Sequence, residues 1–317
     1  MKRRQLLQKA GIVTAGMTAL PLTLPGSPAT QTQNPQFSYC LNTSTIRGQK
    51  PGLIESLEVA AEAGYDGVEI WVRSLDEYLQ EGGTASDLRK RVADLGLSIE
   101  NAIAFPAWLS DDEIQRLSAL EQARREMDLL ARIGCTRVAA PPAGATQQPG
   151  LDLHRAAERY RALLETGKGL GVTPQLELWG FSANLSRLGE VAFVAVEADH
   201  PDACILPDVY HIYKGGSGYG GLELIDGRAL RMFHMNDFPA EPPRDKIADA
   251  DRVYPGDGIA PIDRILRMLN DKGQPIVLSL ELFNPSYWGE DALTVARTGL
   301  AKMKSAVERI SGSPGAG

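Results

Sequence analysis

The sequence predicts a single parallel (β/α)8 barrel of the α/β class, in which eight strands alternate with outer helices. Two patterns and one absence predict it. Short apolar strand-like runs alternate with amphipathic helical stretches from residue 37 to residue 311. Gly64, Gly96, Gly134 and Gly171 each fall just past a helical stretch and shortly before a strand, as helix-ending glycines do. No GxGxxG follows the first strand, which argues against a doubly wound open sheet.

Taken in order, Phe37–Thr43 is the first strand and Leu53–Ala63 the helix that Gly64 ends. The second strand, Gly67–Trp71, leads to a helix at Ala85–Leu95, and the third, Ser98–Phe105, to one at Asp111–Ile133. Thr136–Ala140 and Pro174–Leu178 follow as strands, with helices at Leu151–Leu170 and Leu185–Ala198. The sixth strand, Ala203–Val209, is followed by the weakest helical pattern, Tyr213–Asp226. The last strands, Leu230–Met235 and Ile276–Glu281, precede helices at Pro261–Asn270 and Ala292–Ile310. Between the seventh strand and its helix lies the longest irregular stretch, Phe238–Ala260, and loops of that length are commonly functional.

Residues 1–29 look like a twin-arginine export signal: Arg3-Arg4 precede Leu6-Leu7, then an apolar stretch, then small residues around Ser27–Ala29. Such a signal implies a periplasmic enzyme with no stable membrane span after cleavage. Residues 30–36 read as a linker, 37–311 as the catalytic barrel and 312–317 as a flexible tail. Removing the signal's four basic residues takes the net charge from −7 to −11. A surface that acidic repels phosphate backbones, so nucleic acid is excluded as a partner, and it is compatible with a soluble homodimer. Cys40, Cys135 and Cys204 form no CxxC pair and sit in or beside strands, where cysteine acts as a small buried apolar residue.

Four strand-like runs of the second half end on metal-ligand types: Glu177 in LELWG, Asp208 in LPDVYH, His234 in FHMND and Glu281 in LSLELFN. Parallel barrel strands converge at one mouth, so these four could share one ion. Glu177 and Glu281 lie in apolar contexts, and a buried carboxylate requires a cation beside it. Neither local segment supplies Arg or Lys, which points to a divalent metal. Three carboxylates and an imidazole favour Mn2+, with Mg2+, Co2+ or Zn2+ as alternatives. At the second strand's end Glu69 is placed to bond a substrate hydroxyl and Trp71 to stack on a ring, while Trp179 is placed to line the pocket. Asn42 and Glu100 are lesser candidates, and Asp237 is expected to support the ligands from behind. His154 and His200 read as surface residues. Lys214–Gly218 reads as a mobile rim loop.

In this order, strand-end Glu, Asp with His three residues on, His and then Glu, the chain resembles the xylose-isomerase-like barrel superfamily of sugar isomerases and epimerases. GYDGVEIW, LELWG, LPDVYH, FHMND, RVYPGDG and LSLELFN carry the resemblance, which covers nearly the whole mature chain. It implies that Glu177, Asp208, His234 and Glu281 hold the metal, that His211 contacts substrate oxygens and that Arg252 orients the substrate. The superfamily also contains endonucleases acting at abasic sites, which need further histidines. Here Asp251-Arg252-Val253 has valine where one of them would stand.

A site of this kind supports proton abstraction next to a carbonyl, through an enediolate that the metal stabilises. Glu177 and Glu281 are the expected acid/base pair. Loops PAEPPRD and NPSYWGED lack a glycine cradle for phosphate, so the expected substrate is an unphosphorylated sugar or keto-sugar. The alternatives are a 3-keto-glycoside lyase that begins with the same step, and a non-catalytic carbohydrate-binding barrel.

Overall fold

A computed structural model describes residues 36–311. The expected export signal, nearly all of the linker and the tail lie outside the described residues. Eight parallel strands form the barrel: β1 Phe37–Asn42, β2 Gly67–Trp71, β3 Ser98–Ile103, β4 Arg137–Ala140, β5 Thr173–Glu177, β6 Ile205–Leu206, β7 Met232–Met235 and β8 Ile276–Leu280. Hydrogen bonding runs β3-β2-β1-β8-β7 in one ladder and β4-β5-β6 in another. Parallel bridges at Ile205/Leu230 and Asp208/His234 join β6 to β7. On the opposite side the Arg137 guanidinium donates to the Glu100 carbonyl at 2.8 Å, tying β4 to β3.

The outer ring consists of α1 Leu53–Ala63, α2 Val72–Gln80, α3 Ala85–Asp94, α4 Glu113–Arg132, α5 Leu153–Lys168, α6 Leu188–Glu197, α7 Val209–Lys214, α8 Ile262–Asn270 and α9 Ala292–Ser311. The four helix-ending glycines all adopt the left-handed conformation that a side chain would strain, with φ between +70° at Gly96 and +92° at Gly64. Most of the apolar core lies between the strands and this ring. A smaller cluster, Cys40, Ile103, Ala139, Leu206, Met232 and Val277, fills the barrel interior. Successive strand residues face opposite sides. Two positions beyond Cys40, Met232 and Val277 the interior therefore turns polar, at Asn42, His234 and Ser279, all fully buried.

Three elements depart from expectation. The sixth strand shrinks to Ile205–Leu206 because Asp208 caps a helix, its carboxylate accepting from the His211 backbone N–H at 2.7 Å. The weak pattern over 213–226 holds only the end of α7 and a 3-10 turn at Tyr219–Leu224, with a second such turn following at Gly227–Ala229. The helix α2 was not expected; it follows β2 directly with Trp71 at its N-cap and no capping side chain to mark it.

Candidate metal centre and catalytic pocket

The barrel geometry brings Asp208, His234 and Glu281 together, each offering a ligand atom within 4.8 Å of the others and each buried. His234 Nδ1 lies 3.2 Å from Glu281 Oε2 and 3.8 Å from Asp208 Oδ2. Glu177, expected as a fourth ligand, stands beside this trio with Oε1 3.9 Å from His234 Nδ1. His234 Nδ1 and Glu177 Oε2 are both buried without a hydrogen-bond partner. A buried orphan is costly. A divalent cation among these oxygens and this nitrogen would satisfy them, so the donor set fits one.

Behind His234 lies a closed polar layer. Glu69 accepts from Asn42 Nδ2 at 2.8 Å, Asn101 Nδ2 at 2.7 Å and Ser279 Oγ at 2.6 Å. Its Oε1 also lies 3.0 Å from His234 Nε2. A carboxylate at Nε2 holds the proton there and turns the Nδ1 lone pair toward the trio, the usual support of a ligating histidine. Glu69 is thus fully buried beneath the site with its oxygens taken, which corrects the expectation that it meets a substrate hydroxyl. Asn42 links this layer to the mouth, donating also to Glu281 Oε1 at 3.1 Å and accepting from Trp71 Nε1 at 3.1 Å.

The local segments supply no Arg or Lys to the strand-end acids, but the tertiary structure brings one to two of them. Arg252, only 1 % exposed, arrives from the long loop after β7. Its Nη1 donates to Glu281 Oε2 at 2.8 Å and to Asp208 Oδ2 at 3.0 Å. Its Nη2 reaches Asp249 at 2.5 Å and His211 Nε2 at 3.0 Å. Glu177 receives no such partner among the described residues. The two glutamates therefore differ. Burial pushes the Glu177 carboxyl up to about 8 despite the neighbouring imidazole. Burial acts the same way on Glu281, but His234 and Arg252 outweigh it and hold that carboxyl well below the usual range. Burial raises Asp208, partly offset by Arg252. Burial and the Arg252 charge depress His211, whose neutral Nε2 can then accept from the guanidinium.

The sequence matches the model of the xylose isomerase-like TIM barrel over residues 57–306. The chain belongs to that family. Inosose isomerase of Halalkalibacterium halodurans is 27% identical over 274 residues, covering 82% of this chain and 94% of that one. The 3-dehydroshikimate dehydratase of Pseudomonas aeruginosa is 28% identical over 273 residues, 82% of this chain but 40% of that longer protein. The crystal structure of the IolI protein with a bound zinc atom superposes with a TM-score of 0.81 at 23% identity, covering 87% of this chain and all of that one.

In this xylose isomerase-like barrel the cavity above the trio has a volume of about 500 Å3 and reaches Glu177, Glu281, His211 and Arg252. Trp71 and Trp179 both line it, as do Phe105, Phe181, Phe283 and Trp288, which the sequence did not single out. Arg47 lies over the Phe283, Trp288 and Trp71 rings at 4.8, 5.2 and 5.9 Å. Asn101 and Ser279 were also missed; they stand two residues before the end of β3 and one before the end of β8, and a polar residue at an inward strand position is the only signal available. Asn236 donates to Asp208 Oδ2 at 2.8 Å. Asp237 touches none of the ligands; it gathers the backbone N–H groups of Phe238, Gly256, Gly258 and Ala260 and so shapes the loop carrying Arg252. Lys214 anchors the same loop by donating to the carbonyls of Arg244, Asp245 and Ile247. Glu100 pairs with Arg137 away from the site. His154 is exposed as expected, whereas His200 is buried, its Nδ1 accepting from the Asp202 N–H at 3.1 Å.

Proposed function

We propose that this protein is a divalent-metal-dependent isomerase or epimerase of unphosphorylated keto-sugars, working by proton abstraction next to a carbonyl. The observation that carries the reading is the pairing of a three-donor cation cluster with Glu177, a buried carboxylate that receives no Arg or Lys among the described residues. A carboxyl whose burial raises its pKa toward neutrality is suited to general base catalysis. The enzyme relatives named inosose isomerase and 3-dehydroshikimate dehydratase support chemistry beside a ketone.

Asp208, His234 and Glu281 would hold the ion, with Glu177 beside them. The oxygen-rich set favours Mn2+, with Mg2+, Co2+ and Zn2+ as the alternatives to compare. A bound divalent cation supplies Lewis-acid polarisation of the substrate carbonyl. Glu177 removes the carbon-bound proton, leaving an enediolate, and Glu281, ionised in its pairing with Arg252, is the candidate to take a proton from solvent and return it at the other face. Arg252 fixes the Glu281 and Asp208 carboxylates, and its hydrogen bond holds His211 neutral with Nδ1 as the donor available to a substrate oxygen. Trp71 and Trp179 exclude water from the cavity wall.

A second reading, elimination, is favoured by the dehydratase relative and by the same first step. After proton abstraction the enediolate expels a substituent on the adjacent carbon, whose bonding pair leaves with that group and is protonated. Incubation of the Mn2+-loaded protein with ketoses, inososes and 3-keto-glycosides in deuterated water tests both. Deuterium at the carbon beside the carbonyl with a new stereocentre supports isomerisation, and release of the substituent supports elimination. Exchange with none of these compounds would falsify the enolisation reading. Glu177→Gln is expected to slow exchange by about 10²–10⁴-fold, the usual size of a general-base contribution.

We further propose export to the periplasm through residues 1–29, on the strength of Arg3-Arg4 ahead of an apolar stretch. Replacing both arginines by lysine is expected to keep the protein in the cytoplasmic fraction. Unchanged fractionation would remove this assignment.

A further inference from the structure

One wall of the cavity is a continuous aromatic arc. Trp71, Phe105, Trp179, Phe181 and His211 follow one another with ring centroids 5.4, 5.9, 5.1 and 5.5 Å apart. They come from the end of β2, the segments just after β3 and β5, and α7 after β6, so four separate βα segments contribute rings to one surface. Its two ends, Trp71 and His211, meet polar groups of the site, Asn42 and Arg252, and its middle is formed by Phe105, Trp179 and Phe181. Phe105 and Phe181 remain 43% and 48% exposed although most large apolar side chains of the barrel are buried. Exposed aromatic surface lining a cavity marks a place for a partner rather than a contribution to the core.

The size of the space points the same way. The cavity of about 500 Å3 is within the range of pockets that bury a drug-sized ligand, which is bigger than one sugar ring. Among the polar groups lining it, His211, Asp249 and Glu281 gather around Arg252, and Arg47 lies over the Trp71, Phe283 and Trp288 rings, away from Phe105 and Phe181 in the ring contacts. Phe105 and Phe181 carry no hydrogen-bonding group at all. A second sugar there would lose water from its hydroxyls without recovering partners, which is costly. A flat apolar ring loses nothing of that kind and stacks favourably on such faces.

We propose that the substrate is a keto-sugar carrying a planar apolar substituent, an aryl glycoside in the simplest case, with that substituent seated on Phe105, Trp179 and Phe181. The proposal rests on the sugar-directed reading above and adds the identity of the substrate's second half. Specificity among glycosides is then set by the arc, and the polar cluster is left to handle the sugar.

Binding can be separated from reaction by using glycosides that lack the ketone. Phenyl β-glucoside, methyl β-glucoside and cellobiose are titrated into the Mn2+-loaded full-length protein, with intrinsic tryptophan fluorescence and calorimetry as readouts. The phenyl compound is expected to bind about tenfold more tightly than the methyl compound, as a well-stacked ring provides. In a Phe105→Ala/Phe181→Ala double variant, checked for an unchanged melting profile, that ratio is expected to fall to about twofold. A Phe105→Tyr/Phe181→Tyr variant, which keeps the rings, is expected to retain the preference. Equal affinities for the phenyl and methyl compounds overturn the proposal, as does tighter binding of cellobiose, binding of none of the three, or a preference that survives the alanine variant. If the preference holds but the phenyl 3-keto-glucoside shows no deuterium exchange, the reaction assigned above is lost while the aromatic subsite stands.

Discussion

His234 uses its two ring nitrogens differently: Nε2 meets Glu69 at 3.0 Å, and Nδ1 faces Glu281, Asp208 and Glu177. Burial works against a charged imidazole, yet the surrounding carboxylates, Glu281 and Glu69 foremost, raise its pKa well above the usual value. The same carboxylates make the location attractive for a divalent cation. Glu69 orients this candidate ligand. Glu69→Gln preserves the shape but removes the charge behind Nε2, and it is expected to weaken metal affinity by about 10–100-fold. Competition titration with a chelating dye measures this directly, and an unchanged affinity would show that Glu69 is only a packing group. The four strand-end residues could be recognised in the sequence because each arrives where an apolar run stops. The role of Glu69 could not, because its partners Asn42, Asn101, Ser279 and His234 are gathered only by barrel closure.

At the scale of elements, the loop after β7 determines how the acids are balanced. Asp237 is fully buried, and its two oxygens accept four backbone N–H groups across residues 238–260. A side chain at Gly258 would place its Cβ 2.2 Å from the Phe238 carbonyl oxygen and 2.3 Å from the Asp237 carboxylate, so the chain runs against that carboxylate. Asp237→Ala leaves four donors without their acceptor, and a cost of about 1–3 kcal/mol is expected for buried groups of this kind. Urea unfolding measures the loss, and faster proteolytic cleavage between residues 238 and 260 is expected alongside it. A variant with wild-type stability and cleavage would assign the loop's shape to other contacts. The strands and their cysteines give a simpler expectation. Cys40, Cys135 and Cys204 are free and buried, and burial pushes the Cys135 and Cys204 thiols up to about 12 and Cys40 upward as well. Thiols in that state are inert. Ellman's reagent at pH 8 is expected to label none in the native protein and all three after unfolding; rapid native labelling of any one would contradict its burial. Both α2 and the shortened β6 escaped the sequence reading for local reasons. One helix starts without a capping signal, and the strand is cut short when Asp208 turns its carboxylate to cap α7.

The whole molecule places its chemistry at the C-terminal mouth of a parallel barrel, where segments far apart in sequence supply one site. A ligand that binds only the folded chain stabilises it by mass action. Mn2+ at one hundred times its Kd is expected to add about 2.7 kcal/mol, seen as a rise in melting temperature that EDTA reverses. A melting temperature indifferent to both would remove the metal centre from the account. Among the described residues no helix is long and apolar enough to cross a membrane. Alternation of strand and helix, the helix-ending glycines and the strand-end Glu177, Asp208, His234 and Glu281 were determined by the sequence alone, because side-chain periodicity and backbone conformation are local properties. Which charges neutralise one another was decided only by the tertiary structure. Arg252 reaches Asp208 across 44 residues and Glu281 across 29, while Glu69 meets His234 across 165. Coulomb energy and desolvation depend on distance through space and on burial. The folded barrel thereby separates Glu281, paired with a guanidinium, from Glu177, which among the described residues has no guanidinium and lies beside the aromatic arc.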